Sequence, residues 1–113
     1  MDFNFTDEQQ QYGAALRRWI DKHYTFETRQ RIVHSTAGVS NAAWQALAEL
    51  GMTALPVPSS QGGFDGDATD MLVVMQELGR GLVVEPYFAT AWGAYFLQLA
   101  GNQYHLLQDV AEG

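Results

Sequence analysis

Apolar residues recur along this chain at helical spacing, in blocks separated by turn-forming stretches. Tyr12, Ala15, Leu16, Trp19 and Ile20 fall at i, i+3, i+4, i+7 and i+8, while Gln10, Arg17, Arg18 and Asp21 lie on other faces. A first helix over about 6–23 therefore buries one stripe and wets the rest. Thr6-Asp7-Glu8-Gln9 has the Ser/Thr-x-x-Glu/Gln form of a capping box, which marks its start. The segment TFETRQRIVH predicts a short second helix with Phe26, Arg29, Ile32 and Val33 on one side, before STAGVS breaks the pattern. Ser40 offers an N-cap to NAAWQALAEL, with Trp44, Leu47, Ala48 and Leu50 facing inward. Gly51 stands where a left-handed C-terminal cap favours a residue without a Cβ.

From Met52 to Gly66 two prolines and several glycines replace the helical period, which predicts a long, at least partly ordered loop. Either Asp65 or Asp67 can cap the helix that follows, where Ala68, Met71, Leu72, Met75 and Leu78 keep the period. Gly79 inside that pattern suggests a close backbone approach. Pro86 suits the first position of the next helix, whose missing N–H is unpaired there anyway, and Gly101 closes that helix. Asn102 is placed to cap a last helix through QYHLLQDVA. With no strand-like alternation of useful length and no repeat, the fold class is all-α: an orthogonal or up-down bundle of five or six helices.

The segment EPYFATAWGAYFLQLAG, 85–101, is apolar almost all round. Its unbroken apolar or small run is only about 12 residues against the ~20 a bilayer requires, so it is not a membrane span. Tyr87, Phe88, Trp92, Tyr95, Phe96 and Leu97 point in every direction around the axis and must be covered on nearly all sides. Two readings follow: a helix at the centre of a bundle, or one that turns a face toward an apolar ligand or another domain.

At 113 residues the chain suits one domain, burying roughly two-thirds of the surface that an unfolded chain exposes. Its formal charge of −7, from 6 Lys and Arg against 13 Asp and Glu, lacks the phosphate-neutralising surface that nucleic acid or an anionic membrane needs. With no cysteine there is no disulfide scaffold, thiolate zinc site or thiol catalysis. The start MDFNFTDEQQQ has neither the basic nor the apolar region of a secretory signal, so a cytoplasmic location is expected.

The pattern shows no catalytic constellation. His23, His34 and His105 stand far apart with no second ligand at metal-site spacing. FDGDATD lacks the ligand order and terminal Glu of a calcium loop and reads as a helix cap. SSQGGFDG is glycine-rich, yet no Lys follows and two acids do, so it repels phosphate. Glu77 and Glu85 are separated by an expected helix break, which leaves no paired-carboxylate mechanism. The expected catalytic, metal and cofactor-binding sets within this chain are therefore empty.

The stretch Gly51 to Gly81, GMTALPVPSSQGGFDGDATDMLVVMQELGRG, resembles the N-terminal helical domain of the acyl-CoA dehydrogenases. The Gly62-Gly63 pair and the helix end Gln76-Glu77-Leu78-Gly79-Arg80 carry the likeness. FTDEQQQ looks like the family's start and LQLAGN with LLQDVAEG like the close of this domain, so the resemblance covers the whole chain. Ser59-Ser60-Gln61 departs from the acidic residues that usually precede the glycine pair.

The resemblance implies that 1–113 is a single helical domain of a longer chain, whose middle β domain and C-terminal helical domain are absent here. It implies α,β-dehydrogenation of an acyl-CoA to a 2-enoyl-CoA, with FAD and the catalytic base held mainly by those absent domains. An electron-transfer acceptor and a homo-oligomeric full-length protein belong to the same expectation. It further implies that Val84, Glu85, Phe88, Ala89 and Trp92 line the far end of the acyl pocket. Positions 85, 88, 89 and 92 also satisfy helical spacing. Large Phe88 and Trp92 then favour a short or unusually shaped acyl group. The alternative is a non-catalytic helical interaction module, or one part of a split or heteromeric dehydrogenase.

Overall fold

The computed structural model describes residues 4–113; Met1–Phe3, the first residues of the stretch read for a leader, lie outside the described residues. Among the described residues there are helices and no strands: α1 (Asp7–His23), α2 (Phe26–Val33), α3 (Asn41–Glu49), α4 (Ala68–Arg80), α5 (Tyr87–Ala100) and α6 (Tyr104–Glu112), with a 3₁₀ turn at Ser59–Gln61. The expected all-α class is what the chain adopts.

Capping sets most of the boundaries. The Thr6 hydroxyl accepts the Gln9 amide at 3.1 Å while the Gln9 side chain accepts the Thr6 amide at 2.9 Å. Thr25 and Ser40 cap α2 and α3 by accepting the Thr28 and Ala43 amides, and Gly51 and Gly101 take positive φ angles of 85° and 72° just after α3 and α5. At α4 the cap is Asp67, whose side chain accepts the Asp70 amide at 3.0 Å. Asp65 instead accepts the Ser59 amide at 2.8 Å and closes the preceding loop.

Three local expectations are corrected. Pro86 sits one residue before α5, not in its first turn, because the Tyr87 amide donates to the Glu85 carbonyl at 2.8 Å across Pro86 at φ −80° and ψ 56°. That is an inverse γ-turn, the conformation proline's fixed φ favours. Gln103 precedes α6 without a side-chain cap, and Asn102 takes φ 58° and caps nothing. Gly79 faces open space, whereas the close approach falls at Gly81, where a Cβ would lie 2.5 Å from Ile20 Cγ2.

The main core joins Leu16 and Ile20 of α1, Leu47 of α3, Val74 and Leu78 of α4, and Tyr87 and Ala91 of α5. A smaller cluster of Val57, Ala94 and Leu107 seats α6 on α5 and the loop. The segment 52–57 is buried throughout, although it has no helical period. The molecule measures 40 × 36 × 19 Å. A thickness of 19 Å holds about two helix layers at the usual ~8–10 Å spacing. In such a slab, a helix cannot be covered on every side.

Candidate functional site

The two faces of α5 have different jobs. Its inner face, Tyr87, Ala91 and Ala94, is buried, and three side chains pin the loop below it. Tyr87 donates its hydroxyl to the Met52 carbonyl at 2.8 Å, Tyr95 to the Gly66 carbonyl at 2.7 Å, and Gln98 Nε2 to the Pro56 carbonyl at 2.9 Å. The loop itself doubles back on backbone bonds such as Phe64 N–H to the Ala54 carbonyl and Asp65 N–H to the Val57 carbonyl. A Cβ on Gly63 would lie 2.0 Å from the Val57 oxygen, so this glycine allows the backbone to close. The glycine pair thus serves the loop that supports α5.

The outer face of α5 is an aromatic ridge. Phe88, Trp92 and Phe96 succeed one another at i, i+4 and i+8 and are about half or more exposed. Phe88 meets Trp92 edge-on and Trp92 stacks on Phe96, each pair with ring centroids 5.6 Å apart. Between this ridge and α4 lies a groove of about 340 Å³, walled by Met71, Met75, Phe88, Trp92 and Tyr95 and floored by Ala68 and Ala91. Hollows of about 460 and 620 Å³ exist elsewhere, but their walls include charged side chains such as Glu49 and Arg18. The α4–α5 groove has none. It fits an apolar group and has no carboxylate, imidazole or ammonium in its walls.

Of the five residues expected to line a pocket, the structure brings Phe88 and Trp92 together in the groove. Val84 and Ala89 are exposed beside it and do not wall it. Glu85 stands away from the groove, 5% exposed and turned inward. It accepts the Tyr24 hydroxyl at 2.6 Å and the Ser40 amide at 2.8 Å. The physical reason is the γ-turn: helical spacing runs back from Trp92 to Phe88 but fails at Glu85, where the backbone has left the helix. Met71, Met75 and Tyr95 were not anticipated as groove walls. The period of α4 placed its methionines on the inward stripe, and spacing alone does not say which end of a stripe stays uncovered.

The buried polar groups away from the groove are satisfied structural braces. Asp70 accepts Tyr12 at 2.7 Å and Gln9 at 3.0 Å, tying α1 to the start of α4. Burial works to raise the Asp70 carboxyl, but hydrogen bonds from Tyr12, Asp67 and Gln9 outweigh it and hold it below the usual carboxylate range. Burial, then the bond to Asp70, pushes the Tyr12 hydroxyl well up. Burial, then the bond to Glu85, pushes Tyr24 up to about 12. Among the described residues no cluster of His, Cys, Asp and Glu is placed to hold a metal, and no helix is long and apolar enough to cross a membrane.

This geometry defines a helical domain that presents an apolar groove with no charged side chain in its walls. Residues 6–105 match the family model described as "Acyl-CoA dehydrogenase, N-terminal domain", and the chain belongs to that family. It is 29% identical over 109 residues to "Acyl-CoA dehydrogenase IpdE2" of Mycolicibacterium smegmatis, which covers 96% of this chain and 35% of that protein. The protein of the same name in Mycobacterium tuberculosis is 29% identical over 95% of this chain and 34% of its own length. "Benzylmalonyl-CoA dehydrogenase" of Aromatoleum aromaticum is 29% identical over 90% of this chain and 27% of its length. The chain thus spans about a third of the length of the curated relatives it matches. No solved structure matches it.

The family generally uses FAD. The glycine-rich turn does not suit its phosphates: a Cβ on Gly63 would meet the Val57 carbonyl, and Asp65 and Asp67 flank the turn with negative charge.

Proposed function

We propose that this chain is the N-terminal part of a flavin-dependent acyl-CoA dehydrogenase, and that its α4–α5 groove shapes the pocket for the acyl group. In that role it takes no part in the chemistry. Removal of the α proton by a base and transfer of the β hydride to FAD fall to parts of the protein outside these residues, as does delivery of electrons to an acceptor. A cytoplasmic, homo-oligomeric enzyme is the accompanying expectation.

The observation that supports this reading is the groove itself, apolar on every wall and half-closed by Phe88 and Trp92. Two large rings in its wall leave little room for a long straight chain. Their faces and edges favour a short or ring-bearing acyl group. One relative is named for benzylmalonyl-CoA, an aryl-bearing thioester.

The test is Trp92→Gly in the protein as its source makes it, assayed against a series of acyl-CoA thioesters. Removing the indole lengthens the groove, so preference shifts toward longer acyl groups. Each additional buried methylene is worth about 0.8 kcal/mol, or about fourfold in kcat/KM. An unchanged chain-length profile overturns the pocket role. Absence of both flavin absorbance and thioester oxidation in that protein overturns the enzyme reading as a whole.

A further inference from the structure

Glu85 is the side chain in this domain whose placement the groove does not explain. Its carboxylate is buried and, among the described residues, has no ion-pair partner. A charge withdrawn from water needs hydrogen bonds to persist, and here both oxygens have one. Oε1 accepts from the hydroxyl of Tyr24, the residue that ends α1. Oε2 accepts from the amide of Ser40, the residue that caps α3. The same Tyr24 hydroxyl accepts the Val84 amide at 3.2 Å, and the Arg29 guanidinium donates to the Gly81 carbonyl at 3.3 Å. One carboxylate therefore joins segments 61 and 45 residues away in the chain to the turn that launches α5.

That turn is the N-terminal covalent lead into the groove's ridge. Glu85-Pro86-Tyr87 is a γ-turn, and the first residue after it to face outward is Phe88. A shift of the turn carries Phe88 and, through their ring contact, Trp92. We propose that Glu85 is a positioning residue: its carboxylate, clamped between Tyr24 and Ser40, sets where α5 begins and thereby where Phe88 and Trp92 stand in the groove. Its effect on acyl selection rests on the dehydrogenase reading; its effect on the entry of α5 does not.

The test compares wild type, Glu85→Ala, Glu85→Gln and Tyr24→Phe in the protein of natural length, with two readouts. The first is amide hydrogen exchange. Losing the clamp leaves the Ser40 amide without its acceptor, so exchange at Ser40, Val84 and the first turn of α5 rises on the order of tenfold while α6 is unmoved. Glu85→Gln keeps one acceptor oxygen and falls between wild type and Ala. Tyr24→Phe raises exchange at Val84. The second readout is kcat/KM across acyl-CoA thioesters of different length. A displaced ridge changes the ratio between short and long substrates by about fourfold or more, the value of one methylene.

Unchanged exchange at the entry of α5 in both Glu85→Gln and Tyr24→Phe overturns the clamp, and these near-isosteric variants decide the matter should Glu85→Ala fail to fold. A uniform loss of kcat/KM for all substrates overturns the positioning role in favour of a purely structural one. If the wild-type protein oxidises no acyl thioester, the dehydrogenase reading falls, and the exchange comparison still decides the clamp.

Discussion

Tyr87 and Phe88 are neighbours in the chain and opposites in the fold, which makes them a controlled comparison. Tyr87 is 2% exposed, and its hydroxyl is donated to the Met52 carbonyl inside the loop under α5. Tyr87→Phe keeps the ring and removes that donor. A buried acceptor stripped of its partner costs about 1–3 kcal/mol. For a cooperative unit of 113 residues, at about 2.1 cal/mol/K of unfolding entropy per residue, each kcal/mol lowers the midpoint by roughly 4 °C. The expected drop is therefore about 4–12 °C by thermal unfolding. Phe88 is 60% exposed, so Phe88→Leu loses chiefly its edge contact with Trp92 and costs less than about 1 kcal/mol. Equal losses from the two variants, or a Tyr87→Phe midpoint within about 2 °C of wild type, would refute the division of α5 into a supporting face and a presenting face.

Three further outcomes follow. Gly63→Ala drives a methyl into the Val57 carbonyl and should destabilise toward the upper end of the ~1–3 kcal/mol typical of overpacking. Gly79→Ala meets open space inside α4 and should stabilise by about 0.5–1 kcal/mol, both read from urea midpoints. Tyr24, raised from 10.0 to about 12, contributes stability that is whole below pH 10 and is lost as pH climbs toward about 12. Stability followed across that alkaline range should fall less steeply in Tyr24→Phe than in wild type.

Much of this architecture was legible because caps are local chemistry. Thr6 with Gln9, Ser40, Gly51 and Gly101 mark helix ends through bonds and dihedrals that span only a few residues, so the sequence displays them directly. Asp65 and Asp67 were indistinguishable as caps, since either oxygen can reach an amide; the return of the loop to Ser59 claimed Asp65. The misplaced features are those that depend on distant partners. Gly81, not Gly79, meets another helix because Ile20 crosses there. Segment 52–57 is buried because α5 lies over it, which no period within the segment could reveal. The γ-turn at Pro86 turns Glu85 away from the face that holds Phe88 and Trp92. Met71 and Met75 wall the groove because a slab 19 Å thick leaves one edge of their stripe uncovered.

The thinness of the slab also bears on how the groove can select. Phe88, Trp92 and Phe96 rest on one another, so the ridge is partly ordered before anything binds, and less freedom is left to lose on binding. Tyr87, Tyr95 and Gln98 hold the helix from beneath by bonds to three loop carbonyls, which makes the wall stiff as well as apolar. A stiff apolar wall sorts ligands by size and shape. Each methylene gained or lost there is worth only about 0.8 kcal/mol. Discrimination that reads the thioester or the charged end of a CoA needs polar donors, and the groove has no charged side chain to supply them. In the proposed enzyme this domain therefore determines which acyl groups fit, while recognition of the reacting carbonyl depends on groups that lie beyond α4 and α5.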